Sequence, residues 1–242
     1  MAEGHVNSGK NRLLMALQSQ AGKRIDDLEF VSLTLKQRLY TPRVPIEHVY
    51  FPVNGVMSML AEVEKGQMVE VATVGNEGMI GLPLFLGADI TPGIAFSQVP
   101  GDAYRMSAAH FKELIHEANG FTSVLHRYTQ ALMTQISQGT ACNRAHNNKQ
   151  RCARWLLLTR DRVGTDEFPL TQEFLSQMLG VRRATVSEVA SELQANKAIE
   201  YSRGVIRVID RKRLEAASCQ CYSIIRDEYD RMYGHLERAA AD

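Results

Sequence analysis

From about residue 28 to residue 106, apolar and polar positions alternate in short runs. FVSLTL, HVYFPV, GVMSMLAEV, MVEVATV, AFSQV and DAYRM carry the branched and aromatic side chains that suit a pleated, half-buried surface. Asn54-Gly55, Lys65-Gly66, Gly75-Asn76, Pro92-Gly93 and Pro100-Gly101 separate the runs and reverse the chain. Many short strands punctuated in this way predict a β-barrel or sandwich of jelly-roll type. Residues 9–19 precede it as a short amphipathic helix with Leu13, Leu14 and Leu17 on one side.

At Ser107 the period becomes helical, with Ser107 as the expected N-cap. Asn119-Gly120 breaks that helix, and a longer one follows over about 121–146. Its Phe121, Leu125, Tyr128, Leu132 and Ile136 recur at three- and four-residue steps. Such a seam packs either on its own domain or on a second copy of the helix. Another helix covers 149–163 and ends at Gly164. Residues 211–238 are helical and polar on average, with Tyr222, Ile225, Tyr229, Met232 and Leu236 as a docking face. The whole reads as α+β, divided into residues 1–120, 121–148 and 149–242.

Residues 170–193, LTQEFLSQMLGVRRATVSEVASEL, form a distinct pattern. Phe174, Leu175, Met178 and Leu179 face inward from a first helix, Gly180 makes the bend, and Val181, Val186, Val189 and Leu193 face inward from a second. Arg182, Arg183, Thr185, Ser187 and Glu188 stay outside. An ordinary helical hairpin with a solvated charged face would share this amphipathicity. Here small Ser176 at the crossing, the glycine bend, the inward valines and a following hairpin, AIEYSRGVIRVID around Arg203-Gly204, coincide. That is the layout of a winged helix-turn-helix that reads DNA in the major groove. Arg182 and Arg183 are the expected principal contacts, because a guanidinium forks onto guanine O6 and N7. Thr171, Gln172, Thr185, Ser187 and the wing's Arg203 are expected phosphate or secondary contacts.

Composition narrows the field. The chain has 242 residues, 45% hydrophobic and 23% charged, enough for two folded domains. Its net charge of +1 conceals −1 over residues 1–148, +5 over 149–213 and −3 over 214–242, so the positive excess accompanies the helix-turn-helix. No apolar run is long enough for a bilayer and the first twenty residues lack a secretion signal's apolar centre, so a cytoplasmic protein without a membrane partner is expected. Cys142 and Cys152 lie in helical sequence, and Cys219 and Cys221 form a C-x-C. None has a familiar zinc spacing such as paired C-x-x-C, so reduced, half-buried thiols are expected, with redox sensing as the sharper alternative and with no metal and no cofactor. Gly-rich phosphate loops, G-x-S-x-G, H-E-x-x-H and paired carboxylates are absent, so no enzyme is expected.

These segments together resemble the Crp/Fnr family of bacterial transcription regulators over nearly the whole chain. VYFPVNGVMSMLAEVEKGQMVEVATVGNEGMIG is similar to the family's cyclic-nucleotide-binding-type barrel. The helix from 121 is similar to its dimerisation helix, and LTQEFLSQMLGVRRATVSEVASELQANKAIEYSRGVIRVID to its winged helix. The resemblance implies a homodimer on a near-palindromic double-stranded DNA site, with RNA polymerase as a further partner. It also implies that the seam of Phe121, Leu125, Tyr128, Leu132 and Ile136 serves dimerisation.

The departures matter as much. Cyclic-AMP-binding members carry a Gly-Glu pair and then an Arg-Ser pair. Here the matching stretch reads Gly81-Leu82 and then Thr91-Pro92, and no arginine occurs between Arg43 and Arg105. Gly75, Glu77, Gly81, Leu82, Thr91 and Pro92 therefore mark the expected effector pocket, but a cyclic phosphate buried there would lack its usual cation. Cyclic AMP in the usual mode is not expected; another small molecule or a dinucleotide is the alternative. No cysteine precedes Cys142, which removes the N-terminal iron–sulfur chemistry of oxygen-sensing members. Haem ligation by His5, His48, His110, His116, His126 or His146 is not expected. Ala184 and Glu188 stand where members often present a Glu and a final Arg, which implies an altered DNA code.

Overall fold

In a computed structural model, the structure describes residues 11–21, 25, 27–64, 67–117 and 119–239. The Lys65-Gly66 turn and His5 lie outside the described residues. Helix α1 (Arg12–Ala21) leads into seven strands: β1 (Glu29–Leu33), β2 (Arg38–Tyr40), β3 (His48–Pro52), β4 (Val56–Glu64), β5 (Gln67–Val74), β6 (Ile94–Val99) and β7 (Gly101–Ser107). A one-turn helix α2 (Leu82–Phe85) lies between β5 and β6. The strands pair in two antiparallel sheets, ordered β1-β7-β3 and β2-β6-β4-β5, rather than as one hydrogen-bonded closed barrel. Val49, Phe51, Val56, Met57, Val74, Ala95 and Met106 form part of the buried core.

The helical half begins at Ser107, whose hydroxyl accepts from the His110 amide at 3.2 Å as α3 (Ala108–Glu117) starts. Helix α4 (Asn119–Ala145) runs past the sheet, with α1 and α9 (Cys221–Ala239) packed along it. Helix α5 (Asn148–Val163) opens on a capping box at Asn147 and stops at Gly164. After the short strand β8 (Glu167–Pro169) come α6 (Gln172–Leu179), α7 (Arg183–Ala195), β9 (Ile199–Ser202), β10 (Val205–Val208) and α8 (Arg211–Ala217). Strand β8 joins the wing in a three-stranded sheet ordered β8-β10-β9. No described helix is long and apolar enough to cross a membrane.

Candidate nucleic-acid interface

The turn between α6 and α7 is built from its ends. Thr171 caps α6, its hydroxyl accepting from the Phe174 amide at 3.1 Å. Gly180 ends the helix at φ +64°, a left-handed conformation that a Cβ would strain. Arg182 then occupies the N-cap of α7, so Arg182, Arg183 and Ala184 project from its exposed first turn. Behind them Leu175, Met178, Leu179, Val186, Val189 and Leu193 are buried, while Phe174 and Val181 are half-buried. Buried Ser176 donates to the Glu173 carbonyl at 2.7 Å, which satisfies its hydroxyl inside the crossing. Ser187 donates to Gln172 Oε1 at 2.8 Å, so these two expected contacts are engaged with each other across the pair of helices. Thr185 is half-buried and Glu188 is exposed. The wing turns through Arg203 and Gly204, at φ 49° and 77°, the left-handed pair of a tight hairpin. Tyr201 ties it to the link before α6 by donating its hydroxyl to the Leu170 carbonyl at 2.8 Å, and to α7 by donating its amide to Gln194 at 2.9 Å. Arg203 is exposed at its tip.

This unit is anchored to the sheet domain by a buried polar network. Arg162, near the end of α5, donates to Glu77 at 2.8 Å, to Gln135 of α4 at 2.9 Å and to Thr73. Tyr229 of α9 also donates to Gln135, at 3.1 Å, and Tyr233 donates to the Glu77 carbonyl. Burial pushes the Tyr229 and Tyr233 phenols well above their usual range, so both remain neutral donors. Nearby, Trp155 of α5 and Ser58 of β4 donate to the two oxygens of Glu70, at 2.8 and 2.6 Å. Burial raises that carboxyl to about 7 despite those hydrogen bonds. Phe96 and Phe174 meet edge to face at 6.1 Å between centroids. A cleft of about 790 Å³ remains beside them, with Lys36, Arg38 and Met68 on one side and Gln177, Val181 and Arg182 on the other.

The residues expected to form an effector pocket do not converge. Glu77 is buried, held by Arg162 and by the Gly75 amide at 3.1 Å. A Cβ at Gly75 would lie 2.5 Å from the Arg162 side chain, so this glycine makes room for the ion pair. Gly81 caps α2, and Leu82 is buried. Thr91 and Pro92 line a different space, a cleft of about 1100 Å³ that also takes in Arg38, Arg43, Glu62 and Glu64. No local motif marks Arg38 and Arg43 as pocket residues. They precede the expected cassette by some 40 positions, and only the strand order brings β2 and its following loop beside Thr91.

Along α4, Phe121, Leu125 and Tyr128 have no exposed surface and Leu132 is 3% exposed. Tyr128 donates to the Met79 carbonyl and accepts from its amide, both at 3.1 Å. Gly78 must lack a side chain there, since a Cβ would sit 2.4 Å from the Tyr128 hydroxyl. The chain's own α1, α3, α9 and β5 pack against α4. Ile136 is half-buried, and the outward row of the helix is His126, Gln130, Met133, Ser137, Thr140, Ala141 and Arg144. Met133 is 58% exposed. At the far end of α4, Cys142 and His146 meet Cys219 and Cys221; Cys152 is buried apart from them in the main core.

Residues 150–217 match a family model described as a Crp-like helix-turn-helix domain. No curated protein matches the chain. Among solved structures, FixK2 from Bradyrhizobium japonicum is 16% identical, with a TM-score of 0.68, covering 79% of this chain and 98% of its own. A transcriptional regulator of the Crp/Fnr family from Eubacterium rectale is 15% identical, with a TM-score of 0.63, covering 88% and 94%. The c-di-GMP responsive global regulator CLP of Xanthomonas campestris is 12% identical, with a TM-score of 0.61, covering 81% and 99%.

Proposed function

We propose that this chain, a Crp/Fnr-like transcription regulator with a Crp-like helix-turn-helix domain, binds a near-palindromic duplex as a homodimer through α7. One observation carries the reading. Arg182, Arg183 and Ala184 stand exposed on the first turn of a helix whose opposite face is packed, beside a wing with Arg203 at its tip. That first turn is the part of a recognition helix that reaches base edges. Arg182 and Arg183 are the principal contacts. Thr171, Gln172, Thr185, Ser187 and Arg203 supply phosphate or secondary contacts, and Glu188 either accepts from cytosine N4 or folds back on Arg182. RNA polymerase is the further partner by family resemblance.

The test is selection from a random duplex pool at fixed salt, followed by titration of variants. A two-fold symmetric site is expected. Arg183→Ala is expected to cost about 1–3 kcal/mol and to relax preference at one base. Equal loss on all sequences would recast Arg183 as a phosphate clamp, and an asymmetric site would remove the dimer reading.

A second reading concerns control. Glu77 is committed to Arg162, and a cyclic phosphate at Leu82 would meet an apolar, buried side chain. The chain therefore does not take cyclic AMP in the usual mode. The cleft at Thr91 and Pro92 carries Arg38 and Arg43 together with Glu62 and Glu64, a mixed polar wall that suits a different small molecule, a dinucleotide being one, with the arginines toward its phosphates. Calorimetric titration of the purified chain with cyclic AMP and with cyclic di-GMP separates these outcomes. Micromolar or tighter cyclic AMP binding overturns the reading.

A further inference from the structure

Three of the four cysteines form a buried cluster of their own, separate from the main core. Cys142, Cys219 and Cys221 are 0%, 7% and 2% exposed and pack on one another. A small apolar gap would be filled as well by alanine or valine, so packing alone does not call for three thiols. None is in a disulfide. The Cys142 and Cys219 sulfurs are 3.5 Å apart, and the Cys221 sulfur is 3.5 Å from His146 Nδ1. All four ligand atoms lie within 4.8 Å of one another.

We propose that Cys142, His146, Cys219 and Cys221 form a tetrahedral zinc(II) site. A zinc ion with sulfur at about 2.3 Å and nitrogen at about 2.0 Å has tetrahedral edges of roughly 3.5–3.8 Å. Two edges of such a figure are already present, and the others close with side-chain shifts of about 1 Å. The local structure explains the geometry. Cys142 lies in the last turn of α4 and His146 directly follows the helix, its amide donating to the Cys142 carbonyl at 3.0 Å, so the two share a face. Cys219 and Cys221 flank the break between α8 and α9, where the chain leaves one helix before entering the next.

Burial pushes the Cys219 thiol up, so thiolates here need a bound cation together with the donors around them. The Gln138 amide donates to the Cys221 sulfur at 3.1 Å, and the Cys221 backbone amide is directed at the Cys219 sulfur. The Arg151 guanidinium stands near Cys142, positioned by Asn143 and Asn148 at 3.1 Å each. On binding, three thiols release three protons to solvent and a neutral imidazole supplies the fourth ligand. The complex carries a net charge of −1, which Arg151 offsets. Four protein ligands, three of them buried and His146 half-buried, leave no open position, the mark of a structural rather than catalytic zinc. The ion joins the end of α4 to the α8–α9 connection, and hence to the domain that bears α7.

The full chain, purified under reducing conditions, is titrated with cobalt(II) and then zinc(II). One equivalent of cobalt is expected to give tetrahedral d–d bands and sulfur-to-metal charge transfer of three-thiolate intensity, which one equivalent of zinc abolishes. Octahedral cobalt, or copper(I) binding without zinc binding, overturns the assignment. Cys219→Ser is expected to weaken zinc binding more than about 100-fold, and Gln138→Ala about 10-fold; Cys152→Ser is expected to leave it unchanged. Unchanged affinity in folded Cys219→Ser overturns the ligand set. If Cys219→Ser fails to fold, the cobalt spectrum of the unmutated chain decides alone.

Discussion

Arg162 carries a full charge into a site that is 5% exposed, where it meets Glu77 at 2.8 Å. Taking both ions out of water costs several kcal/mol each, and only their pairing and the added hydrogen bonds from Gln135 and Thr73 offset this. Removing one partner leaves the other charged and buried. Glu77→Ala and Arg162→Ala are each expected to lower unfolding free energy by about 3–5 kcal/mol. A double replacement by apolar residues of similar volume, Glu77→Leu with Arg162→Met, is expected to recover most of that loss. Urea unfolding of the four proteins checks this, and single-variant losses below about 1 kcal/mol would mean that water reaches the pair.

At the scale of elements, α4 has two faces with different assignments. Its inner face is filled by the chain itself, so in the proposed homodimer the outward row around Met133 is the surface left to meet a second copy. That row is made mostly of small or polar side chains, so two helices can approach closely, with Met133 as the apolar centre. Met133→Glu is expected to shift the chain toward monomer, by roughly 10-fold or more in dimer dissociation constant. Tyr128 is not a comparable test, because its loss would damage the fold. Sedimentation equilibrium gives the answer, and an unaltered dimer would move the interface elsewhere. This helix also marks what the sequence disclosed. Its period identified a dry face at Phe121, Leu125, Tyr128 and Leu132, but periodicity does not say whose atoms dry it. The β2 strand went unread because three residues are too few to show alternation. The helix-turn-helix was legible to within two residues, since cap, glycine bend and inward valines are local signals. The Ser187–Gln172 hydrogen bond and the Cys142–Cys219 contact were not, since 15 and 77 positions separate the partners and only folding joins them.

Across the whole molecule, the DNA-binding domain rests on the sheet through Trp155, Phe174 and Met178, and Glu70 sits at that junction. Its carboxyl titrates near 7 in the folded chain against 4.5 as the ordinary value. The folded state therefore binds this proton more tightly than the unfolded one. The resulting stabilisation is complete below about 4.5 and is lost as pH rises through about 7, an amount of roughly 1–3 kcal/mol. Glu70→Gln keeps an acceptor for Trp155 and removes the titration. Its unfolding midpoint is expected to vary less between about pH 5 and pH 8 than that of the parent chain. Parallel pH profiles for the two would show that Glu70 is solvated.

The contact between Tyr233 and Glu77 also sets an order of events during synthesis. The two residues are 156 positions apart. At about 5–20 residues per second, roughly 10–30 seconds pass between their emergence from the ribosome. For the first 85 positions of that interval Glu77 lacks Arg162, and throughout it Tyr233 is missing and the groove that α9 fills is bare. The first half of the chain is thus made early and completed late, and a nascent chain stalled before residue 221 is the form most in need of a chaperone.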